Sequence, residues 1–159
     1  LEGNAALSRN RLKDFDEYVE DWDRDVAVIH YDDAALAYSP DAILNGFVNV
    51  HYKNFRAQWH TGFVGRMYLD NTENADRSLP AYSLSDLSLG YTLKLGKFLK
   101  EIDFGVEGNN LFNARVAQSG WVYSAICASG GHTNDKRYYQ IGFMPVAGLT
   151  VLGHVSLRF

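Results

Sequence analysis

The sequence contains no apolar run long enough to form a transmembrane helix, which needs about 20 consecutive apolar residues. Hydrophobic residues make up 47% of the 159-residue chain, but they alternate with polar residues instead of forming one block. The chain itself therefore contains no helical membrane span. The start of the chain also lacks the basic and apolar regions of a secretory signal. An exported protein with this sequence requires further residues upstream, so we expect the chain to be a fragment.

Cysteine and positive charge are both scarce. Cys127 is the only cysteine, so no disulfide can form within the chain. The formal net charge is −4, and Lys and Arg form no run of the kind that binds nucleic acid. Because phosphate binding needs concentrated positive charge, we expect no nucleic-acid partner.

Recognised catalytic motifs are absent as well. The sequence has no G-x-S-x-G elbow, no P-loop, no H-E-x-x-H and no cysteine placed with a base in a known pattern. Cys127 and His132 do not have the paired four-ligand spacing of a structural zinc site. We therefore predict no enzymatic activity, no cofactor and no metal site.

What the sequence has in abundance is alternation with a period of two, which is typical of β-strands. Near the carboxyl end, one face of a predicted strand carries Val151, Gly153, Val155, Leu157 and Phe159. Six such runs are predicted as antiparallel strands, and they cover 2 to about 14, 44–52, 55–69, 87–95, 102–112 and 150–159. Each run sets large apolar residues against a more polar row, as the strands of a membrane barrel do.

The predicted connections alternate between short and long. Residues 53–54 and 96–97 are predicted as tight turns, whereas 15–40, 70–80 and 113–148 are long connections. This alternation is typical of outer-membrane barrels, whose periplasmic turns are brief and whose outer loops are extended.

Two of the long connections carry further signals. Within the first, the acidic stretch 14–25 is predicted to be a solvated loop or a strand extension beyond the bilayer, followed by a short strand at 25–31. Within the last, a small hairpin is predicted around 136–143.

Three segments carry a resemblance to a known family. They are GNAALSRN at 3–10, GVEGNNLFNARV at 105–116 and VSLRF at 155–159, and the NLFN string at 110–113 is the most family-like. In this order they resemble the C-terminal barrel of TonB-dependent outer-membrane receptors, especially those of the Bacteroidetes. The resemblance implies that 1–159 is an all-β segment forming about the last six strands of a 22-stranded transmembrane barrel.

The resemblance also implies a function and a set of partners. Members of the family take up scarce nutrients such as siderophore-bound iron, cobalamin or glycans across the Gram-negative outer membrane. The implied partners are outer-membrane lipid, the rest of the receptor including its plug, TonB acting through that plug, and the barrel assembly machinery. Val155, Leu157 and Phe159 match the terminal signal that this machinery recognises.

Candidate ligand-binding residues fall into two groups. Arg56, His60 and Arg66 are predicted to face the lumen, where they could guide an anionic ligand, although we favour the simpler interpretation that they pair with carboxylates of the plug or of neighbouring strands. The counter-charges on those strands would be Asp103 and Glu107.

The second group lies in the long connection 113–148 and comprises Trp121, Tyr123, His132 and Arg137, beside Tyr138 and Tyr139. Aromatic and Arg side chains in such loops often anchor ligands or partners. They can equally pack the loop over a barrel mouth, and the sequence does not separate these interpretations.

Two other architectures remain open at this point. One is a complete eight-stranded outer-membrane barrel with an adhesin or structural role, in which 25–31 and 136–143 count as full strands. The other is a soluble β-sandwich that binds a ligand. The membrane interpretation predicts that lipid contacts one row of residues, namely Trp59, Phe63, Leu89, Leu93, Phe104, Val106, Val155 and Leu157.

Overall fold

The computed structural model describes residues 1–127 and 137–159, and it is an all-β, mainly antiparallel structure. Within these residues, no helix has the length and apolar character needed to cross a membrane. A single 3₁₀ turn covers Ala75–Arg77. The strands are β1 (Glu2–Leu7), β2 (Arg11–Asp21), β3 (Asp25–Ala35), β4 (Ala42–Tyr52), β5 (Phe55–Val64), β6 (Met67–Tyr68), β7 (Ser78–Leu79), β8 (Tyr82–Lys94), β9 (Glu101–Asn109), β10 (Ala117–Ile126), β11 (Arg137–Pro145) and β12 (Thr150–Arg158).

The largest sheet has six strands in the order β1-β4-β5-β8-β9-β12, and all neighbours are antiparallel. These are the six predicted long strands, so that prediction is confirmed. The sheet is open, with β1 and β12 as its two edges. No sheet of the described residues closes into a barrel.

The register keeps the apolar rows of the six strands together. Directly paired residues lie on the same side of a sheet, and Tyr52, Phe55, Tyr91 and Phe104 form one continuous row across β4, β5, β8 and β9. The apolar face defined in this way comprises Leu44, Val48, Val50, Tyr52, Phe55, Trp59, Phe63, Leu87, Leu89, Tyr91, Leu93, Ile102, Phe104, Val106, Val151, Val155 and Leu157.

The opposite side of this sheet is the polar face. It comprises Asn45, Asn49, His51, Arg56, Gln58, His60, Asp86, Ser88, Thr92, Glu101, Asp103, Glu107, His154, Ser156 and Arg158. A one-residue slip of any strand would exchange its two faces, so the alternation in the sequence specifies this register.

Neither face of the six-stranded sheet is covered by a second layer of described residues. The buried apolar side chains are Val19, Ala34, Leu69, Leu79 and Ala125, and none of them belongs to that sheet. On β12, eight of the nine residues are exposed. The described strands therefore do not form the two stacked sheets of a β-sandwich.

Four more strands form a second sheet in the order β11-β10-β2-β3. The prediction of a loop or strand extension at 14–25 and a short strand at 25–31 is corrected to a long hairpin, because β2 and β3 have 11 residues each. The hairpin predicted around 136–143 is also larger, since β11 pairs with the whole of β10. β10 shows no alternating pattern in the sequence because apolar residues such as Trp121 and Val122 occupy both of its faces.

Several predicted strands end early for visible reasons. The run 55–69 stops at Val64: the Gly65 amide makes a last hydrogen bond to the Ala42 carbonyl, and the chain then enters a two-stranded sheet of β6 and β7. The run 102–112 stops at Asn109, because Asn110 has a positive φ of 50°. The first run divides at residues 8–10, and the turn predicted at 96–97 extends over residues 95–100.

The two long hairpins continue the edges of the six-stranded sheet and meet each other at one end of it. β2 and β10 pair in parallel at only two positions, Ala125 with Glu20 and Ile126 with Asp21. Buried Leu69 and Leu79 lie in the connection 65–81, and β7 contacts β10. We call this end the cap (β2, β3, β6, β7, β10 and β11), and we call the other end, with residues 53–54, 95–100 and 159, the turn end.

Candidate functional site

The polar face is braced by an ion pair that spans three strands. Arg56 on β5 donates from Nη1 to Asp103 Oδ1 on β9 at 2.8 Å and to Thr92 Oγ1 on β8 at 3.0 Å. Its Nη2 also bonds to Asp103, and Thr92 donates to the same carboxylate at 2.7 Å. Arg56 thus forms an ion pair with a carboxylate of the same sheet, which agrees with the interpretation that it pairs with carboxylates of neighbouring strands.

Glycine makes this brace possible. Gly90 lies directly between Arg56 and the next strand, and a Cβ there would lie 2.5 Å from Arg56 Nε. Its partner Gly105 lies under the His154 imidazole, whose Nε2 is 3.7 Å from Asp103 Oδ2. Sequence reasoning missed both glycines. The available signal was a glycine in the polar row of each strand, which often marks a close approach of another group.

A second chain of hydrogen bonds begins at His60. Its Nδ1 lies 3.1 Å from Asp86 Oδ2, and its Nε2 lies 3.1 Å from Asn45 Oδ1. Phe47 stacks on the imidazole with a centroid distance of 4.5 Å. Asp86 Oδ1 also accepts the Asn110 backbone amide at 2.9 Å. Asp86, Asn45 and Phe47 therefore hold His60 in place. Asp103 and Thr92 do the same for Arg56.

An open depression of about 280 Å³ lies beside His60 on the polar face. It is lined by Phe47, Gln58, His60, Asp86, Ser88, Glu107 and Asn109, together with Leu87. Glu107, predicted as a counter-charge, is exposed there and does not contact Arg56. Two carboxylates and no Lys or Arg line the depression, which is unsuited to an anion.

Arg66 lies beyond the end of β5, so strand pairing does not assign its side chain to either face of the six-stranded sheet. It follows the end of β5 and is exposed where the six-stranded sheet meets the cap, near Arg11 and Glu73. Arg11 bonds to Asp33 at 2.8 Å and to Glu73 at 2.7 Å. Hydrogen bonds from Arg11 and then Lys13 lower the pKa of Asp33 to about 2. This junction is an ion-paired seam.

Trp121 and Tyr123 lie on β10, not in an irregular loop, and both are partly exposed on one face of the cap sheet. The Trp121 indole lies over Gly142, where a Cβ would approach Nε1 to 2.2 Å. The Tyr123 hydroxyl donates to Glu20 on β2, and this hydrogen bond raises the pKa of Tyr123. His132 lies outside the described residues.

Arg137 is a buried cross-link at the start of β11, whereas the sequence grouped it with the candidate binding residues of a long connection. Its side chain is 2% exposed, and Nη1 donates to Glu17 Oε1 at 2.9 Å. The guanidinium also reaches the hydroxyls of Ser124 and Tyr31, so it touches each of the other three strands of the cap sheet. Burial raises the pKa of Tyr31. The sequence could not reveal the Glu17 partner, which is 120 residues away.

The structure also contains a second buried arginine, Arg77, which the sequence pattern did not indicate. Arg77, 1% exposed, donates from Nε to Asp70 at 2.6 Å and from Nη2 to Thr72 at 2.8 Å. Its guanidinium lies 5.7 Å from the centre of the Tyr139 ring. Arg77 and Arg137 together stabilise the cap from within.

Val155, Leu157 and Phe159 lie at the open edge formed by β12, and all three are more than half exposed. The Phe159 ring makes an edge contact with Phe98 at 5.8 Å between centroids. These residues are accessible to a partner, as a recognition signal requires.

Comparison with known proteins identifies no relative. No family model, no curated protein and no solved structure matches the chain. Its function is therefore inferred from its own residues and geometry.

Proposed function

We propose that residues 1–159 form part of the membrane-spanning wall of an outer-membrane transporter of the TonB-dependent kind. The observation that carries this proposal is the apolar face of the six-stranded sheet. It runs across β4, β5, β8, β9 and β12, and apart from the contacts of Leu111 with Gly108 and of Phe112 with Trp59, no described residue is seen to cover it. Large continuous apolar surfaces on soluble monomers are rare, because their contact with water is unfavourable. The hydrocarbon core of a bilayer is the environment in which such a face is favourable.

Strand length supports the same conclusion. A transmembrane β-strand needs about 9–11 residues, and β4, β5, β9 and β12 have 11, 10, 9 and 9 residues. At about 3.3 Å per residue and a tilt of about 40°, ten residues span about 25 Å, which is the height of the apolar band of such barrels.

The aromatic row gives one border to this band. Tyr52, Phe55, Tyr91 and Phe104 lie side by side near the turn end, and each is more than one third exposed. Tyr and Trp prefer the interface between hydrocarbon and water, where outer-membrane barrels carry aromatic girdles.

The polar face fits the wall of a lumen. Its charged side chains are braced within the sheet by the contacts of Arg56 and His60, which leaves exposed Glu107 beside the open depression. A lumen-facing row of this kind is ordinarily polar in barrels of large diameter. We therefore assign Arg56 and His60 a bracing role and propose no ligand contact for them.

The two edge strands, β1 and β12, need further strands to pair with in a bilayer. In a bilayer an unpaired strand edge leaves backbone N–H and C=O groups unsatisfied, at a cost of several kcal/mol for each group. β1 and β12 would therefore pair with further strands, which the proposed receptor supplies. The family assignment itself, with a plug, TonB and a ligand such as ferric siderophore, cobalamin or glycan, is supported by the resemblance of 3–10, 105–116 and 155–159.

Cell fractionation tests the proposal. An antibody against residues 14–25 is used to follow the protein in its source cells, and we expect it in the outer-membrane fraction after carbonate washing. External protease is expected to cleave the cap in intact cells, since the cap would face outward. Recovery in a soluble fraction would contradict the proposal.

A further inference from the structure

The fold gathers lysine at the turn end. The chain has six lysines, and four of them, Lys53, Lys94, Lys97 and Lys100, lie at or next to the turns of this end. The Thr92 amide bonds to the Asn54 carbonyl, and the Lys100 amide bonds to the Arg158 carbonyl. These bonds hold the turn 53–54, the connection 95–100 and the end of β12 side by side.

Three of these lysines border the apolar face. The Lys53 ammonium lies 5.3 Å from the centre of the Tyr52 ring, which belongs to that face. Lys97 is exposed beside Phe98, whose side chain is 84% exposed. Lys100 Nζ lies 3.0 Å from the Phe159 carbonyl oxygen. We call Lys53, Lys97 and Lys100 the basic ledge; Lys94 is excluded because it lies opposite Glu101 on the polar side of the sheet.

Little negative charge offsets the basic ledge. The side-chain carboxylates near this end, Glu101 and Asp103, are already paired with Arg158 at 3.3 Å and with Arg56. By contrast, nine of the 19 carboxylates of the chain lie between Asp14 and Asp33, in the hairpin of β2 and β3 in the cap. The two ends of the sheet thus have opposite charge, with the positive charge next to exposed aromatic rings.

We propose that the basic ledge binds the phosphate groups of anionic phospholipids in the membrane leaflet that meets the turn end. This inference rests on the proposed function, since it needs the apolar face to lie in a bilayer. Lysine side chains extend their ammonium groups toward headgroup phosphates while their aliphatic stems remain on apolar surface. Aromatic rings are enriched at the same headgroup interface. A lysine near an anionic lipid surface contributes about fivefold to binding, which corresponds to about 1 kcal/mol.

The position of the charges favours lipid over a free anion. A soluble phosphate would be bound by cations that converge on one pocket, whereas these ammonium groups are spread along the border of the apolar face. Exposed Phe98 gives an apolar contact that a lipid can use and a free phosphate cannot. The spread of positive charge and the adjacent apolar surface therefore both favour an anionic phospholipid.

Lipid selectivity tests the inference. The protein as its gene encodes it is reconstituted in phosphatidylcholine bilayers, and the association of spin-labelled phosphatidylglycerol is compared with that of spin-labelled phosphatidylcholine. We expect phosphatidylglycerol to be preferred several-fold. The variant Lys53→Gln/Lys97→Gln/Lys100→Gln is expected to lose this preference, and Lys13→Gln, in the cap and paired with Asp33, is the matched control.

The possible outcomes separate the inference from the proposed function. A protein that inserts but shows no preference, or whose preference survives the triple change, overturns the lipid site and leaves the transporter proposal intact. Failure of the wild-type protein to insert in the bilayer overturns both. If the triple variant does not fold, Lys97→Gln alone is expected to lower the preference by up to about fivefold, because the Lys97 side chain is exposed.

Discussion

Gly90 and Gly105 determine how charged side chains cross the polar face. Each glycine lies under a longer side chain from the neighbouring strand, Arg56 in one case and His154 in the other. The lack of a Cβ lets the Arg56 guanidinium reach Asp103 two strands away. A sequence pattern marks these residues as polar or small but does not say which side chain lies above them.

Adding one methyl group at Gly90 tests the brace. Gly90→Ala places a Cβ against Arg56, so the guanidinium must leave Asp103, and we expect a loss of about 1 kcal/mol of unfolding free energy for this partly exposed pair. Urea-induced unfolding in lipid measures it. Gly46→Ala is the control, because a Cβ there meets no atom within 4 Å. Equal effects of the two substitutions would contradict the account of the brace.

His30 in the cap provides a test by titration. It lies 2.7 Å from Asp16, with Asp14 and Asp32 at 3.5 and 3.4 Å. The hydrogen bond to Asp16 raises the pKa of His30 above its ordinary 6.5, and the other two carboxylates add to this. The contact therefore contributes to stability fully below pH 6.5 and loses its contribution as the pH rises through the raised pKa.

We expect an NMR titration to give a His30 pKa above 6.5 in the wild-type protein. Asp16→Asn should lower this pKa, because it removes the largest contribution. His51 lies on the polar face of the other sheet and serves as an internal reference in the same spectra. A His30 pKa that does not change in the variant would show that the Asp16 contact is absent in solution.

Among the structural elements, those with one apolar and one polar face could be predicted from the sequence. The long strands β4, β5, β8, β9 and β12 largely alternate, because one side of each is mainly apolar and the other side is mainly polar. β1 alternates only weakly. β10 could not be predicted this way, since apolar residues occupy both of its faces. The full lengths of β2 and β3 could not be predicted either, because the exposed face of their hairpin mixes carboxylates with Tyr18, Val26 and Val28. The partners of Arg137 and Arg77 depend on pairing between distant hairpins, which periodicity does not encode.

The joint between the two cap hairpins depends on side chains. Only two backbone positions of β2 and β10 are paired, and Arg137 links all four strands. Arg137→Gln leaves the Glu17 carboxylate, which is 16% exposed, with the Tyr31 hydroxyl but without a cation, so we expect a loss of up to about 3 kcal/mol in cap stability. Hydrogen exchange of the amides of β10 measures it.

A suitable control is Arg115→Gln, because Arg115 is exposed in the connection before β10. The double variant Glu17→Gln/Arg137→Gln should recover part of the loss, since no unpaired buried charge then remains. If exchange in β10 is unchanged in Arg137→Gln, the buried pair does not hold the hairpins together.

For the molecule as a whole, the single-layer sheet is the feature that requires explanation. Its buried core lies in the cap, while the larger sheet has an uncovered apolar face on one side and a hydrogen-bonded polar face on the other. A soluble protein would cover that apolar face, whereas a membrane wall exposes it to lipid. The acidic hairpin at one end and the basic ledge at the other further distinguish the two ends of the proposed wall.

Placing a charge on the apolar face tests this arrangement energetically. Val106 lies at mid-strand on β9 and is about half exposed. In lipid, Val106→Arg is expected to cost about 2–4 kcal/mol of folding free energy. Glu107→Arg, on the polar face one residue along, should cost much less. Similar costs for both variants in a lipid folding assay would show that the faces are wrongly assigned.

The most direct test is a spin-label scan along β4 in lipid bilayers. Labels at Val48 and Val50, on the apolar face, are predicted to be accessible to dissolved oxygen and shielded from a water-soluble nickel complex. Labels at Asn49 and His51, on the polar face, are predicted to show the reverse pattern. Accessibility that does not alternate along the strand, or that favours the nickel complex at Val48 and Val50, would contradict the proposed membrane wall.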